Sequence, residues 1–181
     1  MKLLVLIPAK LDSKRLANKN IQKINGKTLV EHSIDYAKKS RYNPEIILSS
    51  ESEIIREIAS SNSVSFMLRE KNLCGDAEVV DVYINIVRSI NKKFDYVVAL
   101  QPDHPDREHS LDYCLDYLIN NGYDDLITIE HNFKRSGSVR IFKYNFLLNA
   151  NVSKRIGCLK DSATDIHYLE DLNKAKNKMK S

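Results

Sequence analysis

Residues 3–7 read Leu3-Leu4-Val5-Leu6-Ile7, an apolar run with no polar position inside it. A strand that is apolar at every position has both faces covered, the condition of a strand inside a parallel sheet with helices on either side. Tyr96-Val97-Val98-Ala99-Leu100 has the same character. Strands are therefore predicted at 2–7 and 95–101, with others at 45–49, 125–130 and 138–143 and a weaker one at 64–68. Helical periodicity falls between them. It predicts a helix over 28–40 with Leu29, His32, Ile34 and Ala37 inward, and one over 51–61 opened by a Ser50/Glu53 capping box. Further helices are predicted over 77–91, over 108–121 closed by Gly122, and over 165–178. Strands alternating with helices of ten or more residues imply βαβ units with right-handed crossovers. The fold class is α/β, in three α/β/α layers around a mainly parallel sheet.

The 181 residues suit a single domain spanning 1–181, with no internal repeat or low-complexity linker. A net charge of +4 is too mild to argue for nucleic acid, because part of the excess sits in the lysine-rich stretch 174–180. Cys74, Cys114 and Cys158 are odd in number and widely spaced, which argues against a disulfide framework or a zinc site. The first strand lacks the features of a signal peptide, and no apolar run approaches the ~20 residues that span a bilayer. A cytoplasmic location is expected, with no membrane partner.

The first apolar strand runs straight into Pro8-Ala9-Lys10-Leu11-Asp12-Ser13-Lys14-Arg15-Leu16, followed by Asn18-Lys19-Asn20. Four cations within ten residues, on a loop held by a buried strand, suit the oxygens of a triphosphate. There is no G-x-x-x-x-G-K-[ST] and no G-x-G-x-x-G, so neither a P-loop nor a dinucleotide fingerprint is present. A solvated basic loop is the plain alternative. In open parallel sheets ligands sit outside the carboxyl ends of the strands. The loops after Ile7 and after Leu100 are therefore expected to face one crevice.

The run Ile7-Pro8-Ala9-Lys10-Leu11-Asp12-Ser13-Lys14-Arg15-Leu16-Ala17-Asn18-Lys19-Asn20 resembles the I-P-A-R-x-G-S-K-R-L-x-x-K-N signature of cytidylyltransferases that activate acidic sugars, the CMP-sialic acid and CMP-Kdo synthetases. The resemblance implies a Rossmann-like nucleotide-diphospho-sugar transferase fold. It puts Lys14 and Arg15 on the β- and γ-phosphates, and Lys10 and Lys19 on the α-phosphate or leaving pyrophosphate. Ser13 and Asn20 become further CTP contacts. Leu100-Gln101-Pro102-Asp103-His104-Pro105-Asp106-Arg107 is similar to L-Q-P-T-S-P-L-R of the sialic-acid branch, and Asp103 falls on the metal-binding aspartate in Q-G-D-E-P of the Kdo branch. Gln101 and His104 are the candidate substrate contacts.

Asp165-Ile166-His167, with Asp171 further on, is similar to D-I-D-x-x-x-D-L, whose first two aspartates hold Mg²⁺ in the sialic-acid branch. Asp103, Asp165 and His167 are thus the implied metal set, with Mg²⁺ as the ion; because Mg²⁺ prefers oxygen, His167 either goes with a softer ion such as Mn²⁺ or Co²⁺, contacts substrate, or marks lost activity. Asp171 reads better as a helix-start residue. Arg69, with Ser49-Ser50-Glu51, Leu73-Cys74-Gly75-Asp76 and Val80-Asp81-Val82 around it, is the implied cytosine or phosphate contact. Its alternative is a surface pair with Glu70 or Asp76.

This chain departs from the pattern at Lys10 (for Arg), Asp12 (for Gly, placing negative charge where phosphates are wanted), Val80 (for a serine) and His167 (for Asp). Only six residues separate Glu130 from Gly137, where sialic-acid enzymes carry a long dimerisation and sugar-gripping excursion. The implied activity is transfer of CMP from CTP to an acidic sugar or other small acid with release of pyrophosphate, for surface glycan biosynthesis, by a monomer or homodimer. The alternative is a non-catalytic relative that binds nucleotide or a partner protein. A nucleotidyltransferase for another base is disfavoured by the absence of an L-A-A-G-x-G loop.

Overall fold

The computed structural model describes residues 1–74, 78–149 and 153–180. The chain runs β1 (Leu3–Pro8), a 3₁₀ turn (Lys19–Ile21), β2 (Lys23–Ile24), β3 (Lys27–Thr28), α1 (Leu29–Lys38), β4 (Glu45–Ser50), α2 (Glu53–Ser61) and β5 (Ser65–Leu68). After a second 3₁₀ turn (Lys71–Leu73) come α3 (Val79–Ser89), β6 (Tyr96–Ala99), α4 (Leu111–Asn120), β7 (Asp125–Ile129), β8 (Arg135–Lys143), α5 (Tyr144–Leu148), β9 (Ile156–Lys160) and α6 (Leu169–Lys178). Ala77, expected to open the third helix, and the Gly75-Asp76 pair lie outside the described residues.

Seven strands form one sheet in the order β5-β4-β1-β6-β8-β7-β9. All are parallel except β8, which runs antiparallel to both β6 and β7. The reversal follows from the connection: the six residues after Glu130 can close a hairpin but cannot build a crossover helix. The apolar first strand is covered on both faces, as expected. Leu3, Val5 and Ile7 pack with Val30 and Ile34 of α1, Ile55 of α2 and Leu115 of α4. Leu4 and Leu6 point the other way, to Val82, Tyr83 and Ile86 of α3 and Leu147 of α5. A smaller cluster of Ile24, Leu29, Ile166, Leu172 and Ala175 fastens α6 to the β2–β3 hairpin.

Several boundaries differ from the sequence reading. Ser50 ends β4 rather than capping a helix; its hydroxyl accepts from the Ser52 amide, and Ser52 is the N-cap of α2. The capping box sits one helix earlier, where the Thr28 hydroxyl accepts from the Glu31 amide and the Glu31 carboxylate accepts from the Thr28 amide. Val30 and Ser33, not His32, complete the inner face of α1; the His32 ring lies against the Ile24 carbonyl at 2.9 Å. The last helix begins at Leu169, so Asp165 and His167 sit on the extended segment before it. The β2–β3 hairpin, α5 and β9 were not anticipated.

Chain order runs outward from β1 to β4 and β5, then returns to place β6 on the other side of β1. Strand order therefore reverses between β1 and β6, and a crevice opens at their carboxyl ends.

Candidate active site

The loops after β1 and β6 line a cleft of about 360 Å³ at this switch point, together with Arg69, Leu73, Val79 and Val82. Lys10, Ser13, Lys14, Arg15, Lys19, Asn20, Arg69, Gln101 and Asp103 all border it, so nine of the twelve residues singled out from sequence share one surface. Five of the nine are cationic and only Asp103 is acidic, a charge balance suited to a polyanion. Asp12 does not intrude. It lines a shallow groove on the other side of the loop with Leu11, Glu51 and Ser52, where the Leu11 amide donates to Glu51 Oε1 at 2.8 Å. The negative charge expected among the phosphates is thus turned away from them.

Buried neighbours shape the loop. Asn20 is 6% exposed and donates from Nδ2 to the Lys10 carbonyl at 2.7 Å, drawing the two ends of the basic loop together. Across the cleft the Ser49 carbonyl accepts from both the Ala9 amide and Arg69 Nη2, each at 2.9 Å. Arg69 is buried, its Nε has no partner, and burial pushes its guanidinium pKa down from the usual range. A surface pair with Glu70 is not what forms: Glu70 accepts from Asn85 instead. The Arg69 guanidinium is thus held on the Ser49 carbonyl where it lines the cleft wall.

The opposite wall is the Gln101–Arg107 turn. Arg107 holds it from beneath, donating to the Gln101 carbonyl at 2.7 Å and the Ser138 carbonyl at 2.9 Å. The β7–β8 ladder shifts register after Ile127, and the bulge carries Gly137 up against Gln101. A Cβ on Gly137 would lie 2.5 Å from the Gln101 carboxamide, so only glycine leaves that side chain its place.

Asp103 is enclosed by cationic or donor groups. Lys19 Nζ lies 2.6 Å from its Oδ2 and also donates to the Ile166 carbonyl at 3.0 Å; His104 Nδ1 lies 2.9 Å from its Oδ1. Burial pushes the Asp103 carboxyl up, but the hydrogen bond and charge of His104, with those of Lys19, outweigh it and hold the pKa well below the usual carboxylate range. The Ile166 amide donates to the Asp103 carbonyl, which brings the segment before α6 alongside. Asp165 arrives with it, its Oδ1 3.9 Å from His104 Nε2.

Asp103, His104 and Asp165 offer donor atoms that all lie within 4.8 Å of one another, the one such cluster of His, Cys, Asp and Glu among the described residues. His104, expected at the substrate, is therefore buried behind Asp103 instead. His167, expected in the metal set, stands outside it with Nε2 3.0 Å from Asp165 Oδ2. Asp171 Oδ2 accepts from the His167 and Tyr168 amides and caps α6, as the helix-start reading held. The set fits a divalent cation: two carboxylates supply oxygen, and the buried Nε2 of His104 has no hydrogen-bond partner. Sequence reasoning gave Arg107 and Gly137 no role; Arg107 lies inside the quoted motif, but nothing local marks Gly137 as a neighbour of Gln101.

The cytidylyltransferase family profile matches residues 4–173, and the chain belongs to that family. The pseudaminic acid cytidylyltransferase of Campylobacter jejuni is 38% identical over 110 residues, covering 58% of this chain and 47% of that protein. The CMP-N,N'-diacetyllegionaminic acid synthase of Legionella pneumophila is 34% identical over 113 residues, covering 60% and 49%. The chain thus spans about half the length of these curated relatives. Among solved structures, a CMP:2-keto-3-deoxy-manno-octonic acid synthetase complexed with CTP superposes with a TM-score of 0.80 at 13% identity, covering 99% of each chain. At that identity the likeness concerns the fold. No helix among the described residues is long and apolar enough to cross a membrane.

Proposed function

We propose that this chain is a CTP-dependent cytidylyltransferase that joins CMP to a hydroxyl of an acidic sugar and releases pyrophosphate. The observation that carries the reading is the cleft itself: five cations, the buried Arg69 among them, and a carboxylate cluster meet at the switch point of a family-matched fold. The acceptor class is drawn from relatives whose names specify pseudaminic and legionaminic acids. A smaller acid is also accommodated by the short β7–β8 hairpin.

The acceptor oxygen attacks the α-phosphorus in line; the new P–O bond forms as the bond to pyrophosphate breaks. Catalysis is positioning and charge neutralisation. Lys14 and Arg15, exposed on the loop, take the β- and γ-phosphates. Lys10 and Lys19 flank the α-phosphate and the leaving group, while Ser13 and Asn20 set the loop against the nucleotide. Arg69 offers its guanidinium to the base or a phosphate, and Val79 and Val82 give an apolar wall beside it. Gln101 orients the acceptor. Asp103 and Asp165 hold the divalent cation, Mg²⁺ or Mn²⁺, which supplies Lewis-acid neutralisation of the phosphate oxygens when bound.

A thermal-shift panel of CTP, UTP, ATP and GTP, with and without divalent cation, tests the nucleotide. Ligand at about 100 times its Kd adds about 2.7 kcal/mol, or roughly 5–11 °C for a chain of this size. A shift with CTP alone, followed by pyrophosphate release with sugar acids, is expected. CTP binding with no release from any sugar acid would assign a non-catalytic nucleotide binder, and no shift with any nucleotide would overturn the reading.

A further inference from the structure

We propose that Arg107 is a positioning residue for the acceptor: from behind the cleft it fixes the Gln101 turn against β8, and so sets where the Gln101 carboxamide meets the substrate. The inference deepens the cytidylyltransferase reading and rests on it, with Gln101 as the residue that orients the acceptor.

The antiparallel ladder between β6 and β8 ends at the Ala99–Arg140 pair. Beyond it the Gln101 amide still donates to the Gly137 carbonyl, but at a long 3.4 Å. The two segments nevertheless stay in close contact, since a Cβ on Gly137 would lie 2.5 Å from the Gln101 carboxamide. Arg107 supplies the tie that the fading ladder no longer gives. Its Nη2 donates to the Gln101 carbonyl at 2.7 Å and its Nε to the Ser138 carbonyl at 2.9 Å, one bond to each segment.

A third element seats the guanidinium. Nη1 donates to Ser33 Oγ at 3.3 Å, and Cζ lies 5.0 Å from the centre of the Tyr36 ring. Ser33 and Tyr36 stand three residues apart on α1 and share one side of that helix. The half-buried side chain thus joins α1, the turn and β8 at one point. Burial pushes its pKa down, the mark of a charge that is costly to place there. The acceptors it reaches are two carbonyls and a hydroxyl rather than a carboxylate, so the charge serves to strengthen hydrogen bonds that hold the backbone.

The shape of the group matters as much as its charge. Arg presents its donors in a rigid planar fork, whereas Lys is a point charge on a flexible stem. Arg107→Lys is therefore expected to keep the cation while letting the Gln101 turn drift from β8. A displacement of about 1 Å in a group that positions substrate can cost about 100-fold, so a rise of about tenfold in the acceptor KM is expected from partial loosening.

Pyrophosphate release at saturating CTP, measured against acceptor concentration in the wild type, Arg107→Lys, Gln101→Ala and the double variant, tests the role. The acceptor is whichever of pseudaminic acid, N,N'-diacetyllegionaminic acid, N-acetylneuraminic acid and 3-deoxy-manno-octulosonate the wild type uses fastest. Each single variant is expected to raise the acceptor KM by about tenfold, and the double variant no further than Gln101→Ala alone. Calorimetry should find the Kd for CTP within about twofold of wild type in Arg107→Lys, which a general loss of structure would not leave in place. An unchanged acceptor KM in Arg107→Lys, a penalty that adds in full on the Gln101→Ala background, or a matching loss of CTP affinity overturns the proposal. So does an unchanged acceptor KM in Gln101→Ala, a result that does not depend on any Arg107 variant folding. These outcomes leave the transferase standing. CTP binding by the wild type with no release from any of the acids removes the transferase, and the positioning role with it.

Discussion

Asp103 concentrates the chemistry of the cleft, and its surroundings change what a substitution there does. A carboxylate on a surface turn could be replaced by its amide at little cost, which is the sequence expectation. Here Lys19 and Asp103 are paired with side chains only 13% and 14% exposed, and removing one partner strands the other. Asp103→Asn is expected to lower pyrophosphate release by about 100-fold or more through misplacement of Lys19 and His104. It should also destabilise the chain by about 3 kcal/mol in urea titration. Adding Lys19→Met should recover most of the stability and none of the turnover. Gly137→Ala separates the two effects differently. Its Cβ meets only the end of the Gln101 side chain, so melting should move little while the KM for the acceptor rises by about tenfold. An unchanged KM would show that Gln101 does not touch the acceptor.

At the scale of elements, the basic loop and α6 are held in place by different means. The loop is pinned at its ends by Asn20 and its cations are largely solvated, so their attraction for a polyanion is open to screening. Lys14→Ala and Arg15→Ala are each expected to weaken CTP binding by about tenfold near 50 mM salt, with the penalty shrinking at 500 mM. A salt-independent penalty would argue for buried contacts instead. The α6 helix is moored by Asp106, which accepts from the Thr164 amide and hydroxyl at 2.8 and 2.9 Å and pairs with Lys178 at 3.0 Å. Burial pushes the Asp106 carboxyl up, and those hydrogen bonds with the Lys178 charge bring it below its ordinary value. A depressed carboxyl contributes stability that is present above about pH 4, its unfolded pKa, and is lost as pH falls through the folded value. Protection of the α6 amides, taken relative to their intrinsic exchange, should therefore fall on acidification below about pH 4. Asp106→Asn should exchange quickly at neutral pH and respond less to acid.

For the whole molecule, the sheet divides the core into two layers, and β1 serves both. Leu6 is fully buried against the α3–α5 layer. Leu6→Ala is expected to cost about 2–5 kcal/mol, with roughly 2–4 °C of melting temperature for each kcal/mol. A loss below about 1 kcal/mol would mean that the layer collapses to fill the space. The two-layer arrangement and the parallel strands were legible because apolar runs at every position demand cover on both sides. The reversed β8 was not deduced, although the six-residue connection already required it. The Asn25-Gly26 turn was also readable: both residues adopt positive φ, 49° and 81°, as a two-residue hairpin requires. Strands of two residues either side gave too short a pattern to register.

What the sequence by itself determined is local: which segments are apolar on both faces, where a strand ends in a cationic loop, and which motifs follow which strand. Those features follow from periodicity and chain order. Only the tertiary structure decided how residues distant in the chain meet. Ile166 donating to the Asp103 carbonyl sets Asp165 beside His104, across 61 residues of chain. A bulge in β8 places Gly137 against Gln101, and the course of the loop turns Asp12 outward. Adjacency in a motif says which residue types are available, whereas burial and direction, which no short pattern encodes, decide which nitrogen faces which carboxylate.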